Sequence, residues 1–197
     1  MSTIPKHDWS LNFRLEIARL KRELKETKKK LREALGTDPL TGLASKNKMY
    51  KELEHSFAVL RREQRNRGNR ALQDFSIIFV DLDGFKPIND GDHLRGDRIL
   101  IEFGDYLREI TREVDTVARF GGDEFVAILH NQQAPQEVIE RIHSLILLNN
   151  KYYQGPELQI ALGSATRKKN ESLEKTLTRA DEAMYTAEDE TESSTKR

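Results

Sequence analysis

Two short acidic segments carry the residue types that bind a divalent cation. Asp81 and Asp83 lie at the end of a continuous apolar run, residues 75–82. Asp123 and Glu124 follow two adjacent glycines elsewhere in the chain. If the two segments meet, their carboxylate oxygens suit Mg²⁺, because that ion keeps several waters and shares its coordination sphere with substrate phosphates. The alternative is that the aspartates only cap loops and the Gly-Gly pair is an ordinary turn.

A segment suited to binding phosphate follows Asp83 directly. Gly84 lets the backbone turn so that neighbouring N–H groups point toward an anion, and Lys86 adds a positive charge two residues later. Next to a cation site, this combination indicates that the phosphate belongs to a nucleotide.

The elements that must position these residues alternate between helices and strands, which predicts an α/β domain. Apolar periodicity predicts strands at residues 75–82, 116–120, 125–130 and 158–166. The same criteria predict helices at residues 45–62, 94–111, 137–148 and 172–187, with Ser45 and Ser172 as N-caps. The second and third strands are expected to form a hairpin around Gly-Gly-Asp-Glu.

Residues 10–35 predict a separate N-terminal helix. Its less polar residues alternate spacings of four and three: Phe13, Ile17, Leu20, Leu24, Thr27, Leu31 and Ala34. This heptad pattern favours a parallel dimeric coiled coil over an amphipathic helix packed on its own domain, because the polar face is densely charged. Gly36 is expected to end the helix. The chain thus divides into a stalk (residues 1–36), a globular domain (37–187) and a polar tail (188–197) that is predicted to be disordered.

Composition narrows the possible partners. The chain has 33 basic and 33 acidic residues, so it lacks the electrostatic signature of a nucleic-acid-binding protein, and no nucleic-acid partner is expected. The arginine-rich stretch 61–70 is expected to form a solvated loop. Neither an apolar run of about 18 residues nor a secretory leader occurs, which predicts no membrane segment and a cytoplasmic location.

Five segments resemble, in order and spacing, those of the GGDEF domain family. They are residues 38–43 (DPLTGL), 81–90 (DLDGFKPIND), 93–97 (HLRGD), 119–125 (RFGGDEF) and 180–185 (ADEAMY). The resemblance covers residues 37–187. It implies an α/β (α+β) fold related to that of nucleotide cyclases, with a central, mostly antiparallel sheet flanked by helices and preceded here by the coiled-coil helix.

The resemblance also implies roles for individual residues. Asp81 and Asp123, with the backbone carbonyl of Leu82, would bind two Mg²⁺ ions, or Mn²⁺ in their place. Glu124 would support this catalytic site or assist deprotonation. The substrate-binding residues would be Gly84, Phe85 and Lys86, whose backbone N–H groups hold phosphates, and Asn89 and Asp97, which read guanine.

The activity implied by the resemblance is that of a diguanylate cyclase, which condenses two GTP molecules into cyclic di-GMP and releases pyrophosphate. Each protomer carries one GTP, so two domains must face each other, and a coiled-coil homodimer would bring them together. Arg112 and Asp115 match the family's RxxD site for inhibition by the product. The alternative for this pair is an ordinary ion pair at a helix end.

Two positions depart from the family's pattern. The segment from Asn89 to Asp97 is one residue shorter than usual, and Glu188 stands where the family has a lysine that helps to hold the triphosphate. A negative charge beside a triphosphate weakens its binding. These departures keep a second function open, in which a catalytically weak domain binds GTP or cyclic di-GMP and signals with little turnover.

Overall fold

The computed structural model of the chain describes residues 9–67, 75–130, 135–152, 157–168 and 171–195. Its helices are α1 (Trp9–Leu35), α2 (Lys46–Arg67), α3 (Phe85–Gly91), α4 (His93–Ile110), α5 (Pro135–Tyr152) and α6 (Leu173–Thr195). Its strands are β1 (Ala44–Ser45), β2 (Ser76–Asp81), β3 (Thr116–Arg119), β4 (Glu124–Leu129) and β5 (Ala161–Thr166).

The five strands form one sheet in the order β1-β3-β4-β2-β5. The β1–β3 pair is parallel, and the other three pairs are antiparallel. Helices cover both faces of the sheet, since one apolar cluster joins it to α3, α4 and α5 and the other joins it to α2 and α6. The mostly antiparallel sheet flanked by helices is confirmed.

Strand β2 lies in the middle of the sheet and is buried on both faces. Ile78 and Val80 belong to the cluster with α3, α4 and α5, whereas Ile77 and Phe79 belong to the cluster with α2 and α6. Successive side chains of a strand point to opposite faces, so a strand covered on both sides must be apolar throughout. The run of apolar residues 77–80 is explained by this position, and the buried Ser76 hydroxyl is hydrogen-bonded to the Thr166 hydroxyl at 2.8 Å.

Several element boundaries differ from the predicted ones. Helix α2 continues to Arg67, into the stretch expected to be a loop, because no glycine or proline precedes Gly68. Helix α3 was not predicted; its Pro87 lies in the first turn, where a proline is tolerated. Helix α6 continues to Thr195, eight residues beyond its predicted end at Ala187.

Helix α1 keeps its apolar stripe away from the core. Phe13 is 70% exposed, Leu24 is 54% exposed and Leu31 is 58% exposed. The alternative in which this helix packs against its own domain is therefore not what the structure shows. Within the described ranges, no helix is both long enough and apolar enough to span a membrane.

Helix α6 packs directly on β5. A side chain at Gly163 would overlap the α6 backbone at Ala180 and Met184, so the absence of a Cβ allows the close approach. The start of the helix is held by Glu171, whose carboxylate accepts hydrogen bonds from the Arg179 guanidinium at 2.7 and 2.8 Å. It also accepts a hydrogen bond from the Thr176 hydroxyl at 3.1 Å.

These contacts make Glu171 a source of pH-dependent stability. Hydrogen bonds from Arg179 outweigh the effect of burial and lower the pKa of Glu171 from 4.5 to about 2. The stabilisation is fully present above pH 4.5 and is lost as the pH falls toward 2, because over this range the unfolded state binds a proton that the folded state does not. A shift of this size corresponds to on the order of 3 kcal/mol.

We therefore expect Glu171→Gln to destabilise the domain at pH 7 and to have a much smaller effect at pH 3. Urea unfolding of the wild type and the variant at both pH values measures this difference. Glu182→Gln, at an exposed position of the same helix, is the control and should change little at either pH. An equal cost of Glu171→Gln at pH 7 and pH 3 would contradict the assignment.

Candidate active site

The two acidic segments meet at one edge of the sheet. Asp81, the last residue of β2, is the register partner of Glu124, the first residue of β4. The next residue, Leu82, donates its N–H to the Asp123 carbonyl at 3.3 Å. Three carboxylate-bearing residues from two distant segments of the sequence, Asp81, Asp123 and Glu124, are thus adjacent. All three are only half-buried, so the site is open to solvent and to a substrate.

The Gly-Gly turn is shaped around Glu124. The N–H of Phe120 donates to the Glu124 carbonyl at 2.8 Å and closes the hairpin. The Glu124 side chain lies against the backbone of Gly121, where a Cβ would collide with the carboxylate. A Cβ at Gly122 would meet nothing within 4 Å. The two glycines therefore have different roles, and only Gly121 is needed for the position of Glu124.

Arg119 connects this hairpin to the segment that follows the stalk. Its Nε and Nη2 atoms donate to the Gly122 carbonyl at 2.9 and 2.6 Å, and its Nη1 lies 3.3 Å from Asp38 Oδ1. Partial burial alone would raise the pKa of Asp38, but hydrogen bonds from Thr41 and the charge of Arg119 outweigh it and lower that pKa. Asp38 therefore carries its negative charge opposite Arg119 at neutral pH.

The sequence analysis assigned no role to Asp38 or Arg119, although both lie in segments that match the family. The available signal was that the two segments contain opposite charges. It was not sufficient, because nothing in the order of the residues shows that positions 38 and 119 are in contact.

The proposed phosphate-binding segment begins with a left-handed residue. Gly84 has φ 76° and precedes the first turn of α3, a conformation that favours glycine. The N–H of Phe85 donates to the Leu82 carbonyl at 3.2 Å. The N–H groups at the start of a helix have no acceptor within the helix, so the backbone at Lys86 presents a donor at the same edge as Asp81. The backbone of this segment is also held by Gln159, whose N–H donates to the Asp83 carbonyl at 3.1 Å.

In the shortened segment between Asn89 and Asp97, a single residue, Asp92, connects α3 to α4. Asp92 donates its N–H to the Ile88 carbonyl at the end of α3, and its side chain accepts from the N–H groups of Leu94 and Arg95 at the start of α4. Asn89 lies in the last turn of α3 against Gly96, where a Cβ would collide with its amide oxygen. Asp97 is exposed on the next position of α4. Although this segment is one residue shorter than the family's, the two predicted guanine-binding residues, Asn89 and Asp97, lie on adjacent helices.

The donor set at this edge fits Mg²⁺. Two or three carboxylates and a carbonyl are hard oxygen ligands, and the Leu82 carbonyl can accept the Phe85 N–H and still offer a second lone pair. In the part of the chain that the structure describes, no group of three or more His, Cys, Asp or Glu side chains could hold a metal by itself.

The predicted product-binding pair lies in a turn between α4 and β3. Asp115 accepts the N–H of Arg112 at 2.9 Å through one oxygen and the N–H of His130 at 2.9 Å through the other. The carboxylate therefore braces the turn, whereas the Arg112 side chain is exposed. Both residues line a cleft of about 520 Å³, together with Thr37, Lys48, Glu52 and Arg108 among others. Burial lowers the pKa of His130, and the charges of Asp115 and Glu52 offset part of that effect.

Comparisons with known proteins agree with this geometry. A family model described as diguanylate cyclase, GGDEF domain, matches residues 35–194. The diguanylate cyclase DgcP of Pseudomonas aeruginosa is 36% identical over 156 residues, which cover 77% of this chain and 22% of that protein. The chain spans about a fifth to a half of the length of the curated relatives it matches.

Solved structures share the fold. The diguanylate cyclase SiaD of Pseudomonas aeruginosa, in complex with its activator SiaC, has a TM-score of 0.62 and 26% identity and covers 92% of this chain and 70% of that chain. The coiled coil and GGDEF domain of DgcB from Caulobacter crescentus, in complex with c-di-GMP, has a TM-score of 0.67 and 24% identity. That match covers 91% of this chain and 94% of that chain.

The two adjacent glycines allow a matched test of the hairpin. Gly121→Ala should displace the Glu124 carboxylate while changing stability by less than about 0.5 kcal/mol, because the colliding group is the end of a flexible side chain. Gly122→Ala should leave Glu124 in place. The ¹³C chemical shift of the Glu124 carboxyl group measures its environment in each variant. Equal shifts in both variants would contradict the contact with Gly121.

Proposed function

Because the chain belongs to the diguanylate cyclase GGDEF-domain family, we propose that it condenses two GTP molecules into cyclic di-GMP as a homodimer. The observation that carries this proposal is the register of β2 with β4, which brings Asp81 opposite Glu124 and next to Asp123. The reaction class is nucleotidyl transfer.

Each condensation forms one phosphodiester bond. The ribose 3′-oxygen of one GTP attacks the α-phosphorus of the other, the bond to the bridging oxygen of the β-phosphate breaks, and pyrophosphate leaves. Bound Mg²⁺ would lower the pKa of the 3′-hydroxyl and neutralise charge on the triphosphate. Asp81, Asp123 and the Leu82 carbonyl would hold the metal, and Glu124 would support the site or take up the hydroxyl proton.

The remaining residues bind and select the nucleotide. Backbone N–H groups at Gly84, Phe85 and Lys86 would hold the β- and γ-phosphates at the start of α3. Asp97 would accept hydrogen bonds from guanine N1–H and N2–H₂, and Asn89 would contact the same base. Adenine would leave the Asp97 carboxylate without donors, so the site should discriminate strongly in favour of GTP.

The homodimer is supported by the exposed apolar stripe of α1. One domain provides one carboxylate site and one GTP, so two domains must face each other to form both bonds. A parallel coiled coil of two α1 helices would bury the stripe of Phe13, Ile17, Leu20, Leu24 and Leu31 and would hold the two domains at high local concentration.

Turnover is tested directly by incubating the chain with GTP and Mg²⁺ and measuring cyclic di-GMP by chromatography. Asp123→Asn should reduce the rate about 100-fold or more, because it removes a metal-binding carboxylate without changing side-chain size. Asp105→Asn is the control, since Asp105 is exposed on α4, where its carboxylate pairs with Arg108. Equal rates for the wild type and Asp123→Asn would refute the assignment.

A second candidate is a signalling domain that binds GTP or cyclic di-GMP with little turnover. The feature that favours it is Glu188, which replaces the family's lysine; its side chain lies outside the described residues. Tight GTP binding by calorimetry, with no product after several hours, would select this function over the first.

Inhibition by the product is proposed to act at the cleft beside Arg112. Arginine suits this role because its planar guanidinium binds phosphate or a guanine edge through two hydrogen bonds. Asp115 is a poorer target for mutation, since its loss would also free the backbone of the turn.

Arg112→Ala is expected to weaken cyclic di-GMP binding about 10- to 100-fold through the loss of charge-assisted hydrogen bonds, and to raise the final yield of product. Calorimetry measures the affinity, and Arg98→Ala, an exposed arginine of α4, is the control. Unchanged affinity in Arg112→Ala would remove this site from the proposal.

A further inference from the structure

All five strands end or begin at the edge of the sheet that carries the acidic residues. The registers pair Ser45 of β1 with Arg119 of β3, Arg119 with Phe125 of β4, and Glu124 with Asp81 of β2. Asp81 and the start of α3 therefore lie toward the β5 end of this edge, and β1 lies at the opposite end, beyond the hairpin. The distance between β1 and β2 is three strand spacings, or about 14 Å.

Lys46 projects from the β1 end of the edge toward the hairpin. It is the first residue of α2, and its Nζ lies 3.6 Å from the centroid of the Phe120 ring. Phe120 directly precedes Gly121, so the ammonium is next to the turn that carries Asp123. The side chain is exposed and lines a cleft of about 360 Å³, whose other walls include Asp38, Asn47, Arg119 and Gly122.

In a dimer whose active sites face each other, the symmetry decides which part of the partner chain lies across from Lys46. If the two-fold axis between the two reaction centres is perpendicular to the facing edges, it places opposite ends of the two edges across from each other. The β1 end of one chain then lies across from the α3 end of its partner, where the partner's triphosphate is expected. Lys46 is on the wrong side of the hairpin to reach the phosphates at α3 of its own chain.

We infer that Lys46 contacts the triphosphate of the GTP bound to the partner chain. This inference rests on the proposed dimeric cyclase and adds a substrate-binding residue to it. A lysine ammonium is a compact point charge suited to phosphate, and the Phe120 ring holds it beside the hairpin through a cation–π contact. It supplies a positive charge to a site that has Glu188 in place of the family's lysine. The competing explanation is that Lys46 only covers Phe120.

Lys46→Gln should lower turnover about 10- to 100-fold, the effect of losing one charge-assisted contact to phosphate. Lys46→Arg should retain most of the activity, because it keeps the charge. Lys51→Gln, exposed on the same helix, should behave as the wild type. Equal turnover in Lys46→Gln and Lys51→Gln would overturn the inference while leaving the proposed function intact.

Mixed dimers distinguish action on the partner's nucleotide from action on the chain's own. In the first mixed dimer, one chain carries Asp123→Asn and the other carries Lys46→Gln. The chain with the intact carboxylate site then faces a partner with an intact Lys46. The singly linked dinucleotide should therefore form at the wild-type rate for one site. When a chain carrying both substitutions is paired with the wild type, the intact site faces Gln and the rate should fall. The opposite pattern would show that Lys46 acts within its own chain and would overturn the inference.

A binding measurement tests the contact even if the chain does not turn over. Calorimetry with Mg²⁺ and 3′-deoxyguanosine triphosphate, which lacks the attacking hydroxyl, should show about tenfold weaker binding to Lys46→Gln than to the wild type. If GTP yields no product but this difference is present, the catalytic proposal fails and the Lys46 contact stands. Equal affinity for the wild type and Lys46→Gln would show that Lys46 only covers Phe120.

Discussion

The antiparallel pairing of β2 with β4 is the constraint on which the candidate site depends. Because β2 is apolar on both faces and both faces are covered by helices, its register is strongly specified, and a slip of one residue would turn every side chain to the opposite cluster. That register places Asp81 opposite Glu124. The position of the carboxylates is therefore set by hydrophobic packing along the strand, which opposes the repulsion between like charges at its end.

The segment between the stalk and α2 also helps to fix the position of the hairpin between β3 and β4. Asp38 accepts hydrogen bonds from Leu40, from Thr41 and from Arg119, whose guanidinium also holds the Gly122 carbonyl. Thr37, one residue earlier, lines both the cleft beside Arg112 and the cleft beside Lys46. A change in the direction of α1 would thus act close to both sites, which is a physical route by which a stalk could influence the domain.

Among the described residues, two features of the single chain remain exposed to solvent. One is the stripe of exposed apolar residues on α1, and the other is the exposed ammonium of Lys46 beside the hairpin. A two-chain reaction accounts for both, since the stripe would pair two stalks and the lysine would face the second nucleotide. In this view, the positive charge that the family's lysine would supply at position 188 comes instead from Lys46 of the partner chain.

Residue types and spacing alone were sufficient to predict the buried central strand, most helices and the cap residues Ser45 and Ser172, because these depend on local periodicity and capping. They left open whether the two acidic segments meet. Helix α3 and the end of α6 were mispredicted, because local propensity near Pro87 and in the polar tail is weak compared with packing and helix propagation. The contacts of Asp38 with Arg119, of Glu124 with Gly121 and of Lys46 with Phe120 could be known only from the tertiary structure. They depend on strand order and on the approach of backbones, which no local pattern of residues encodes.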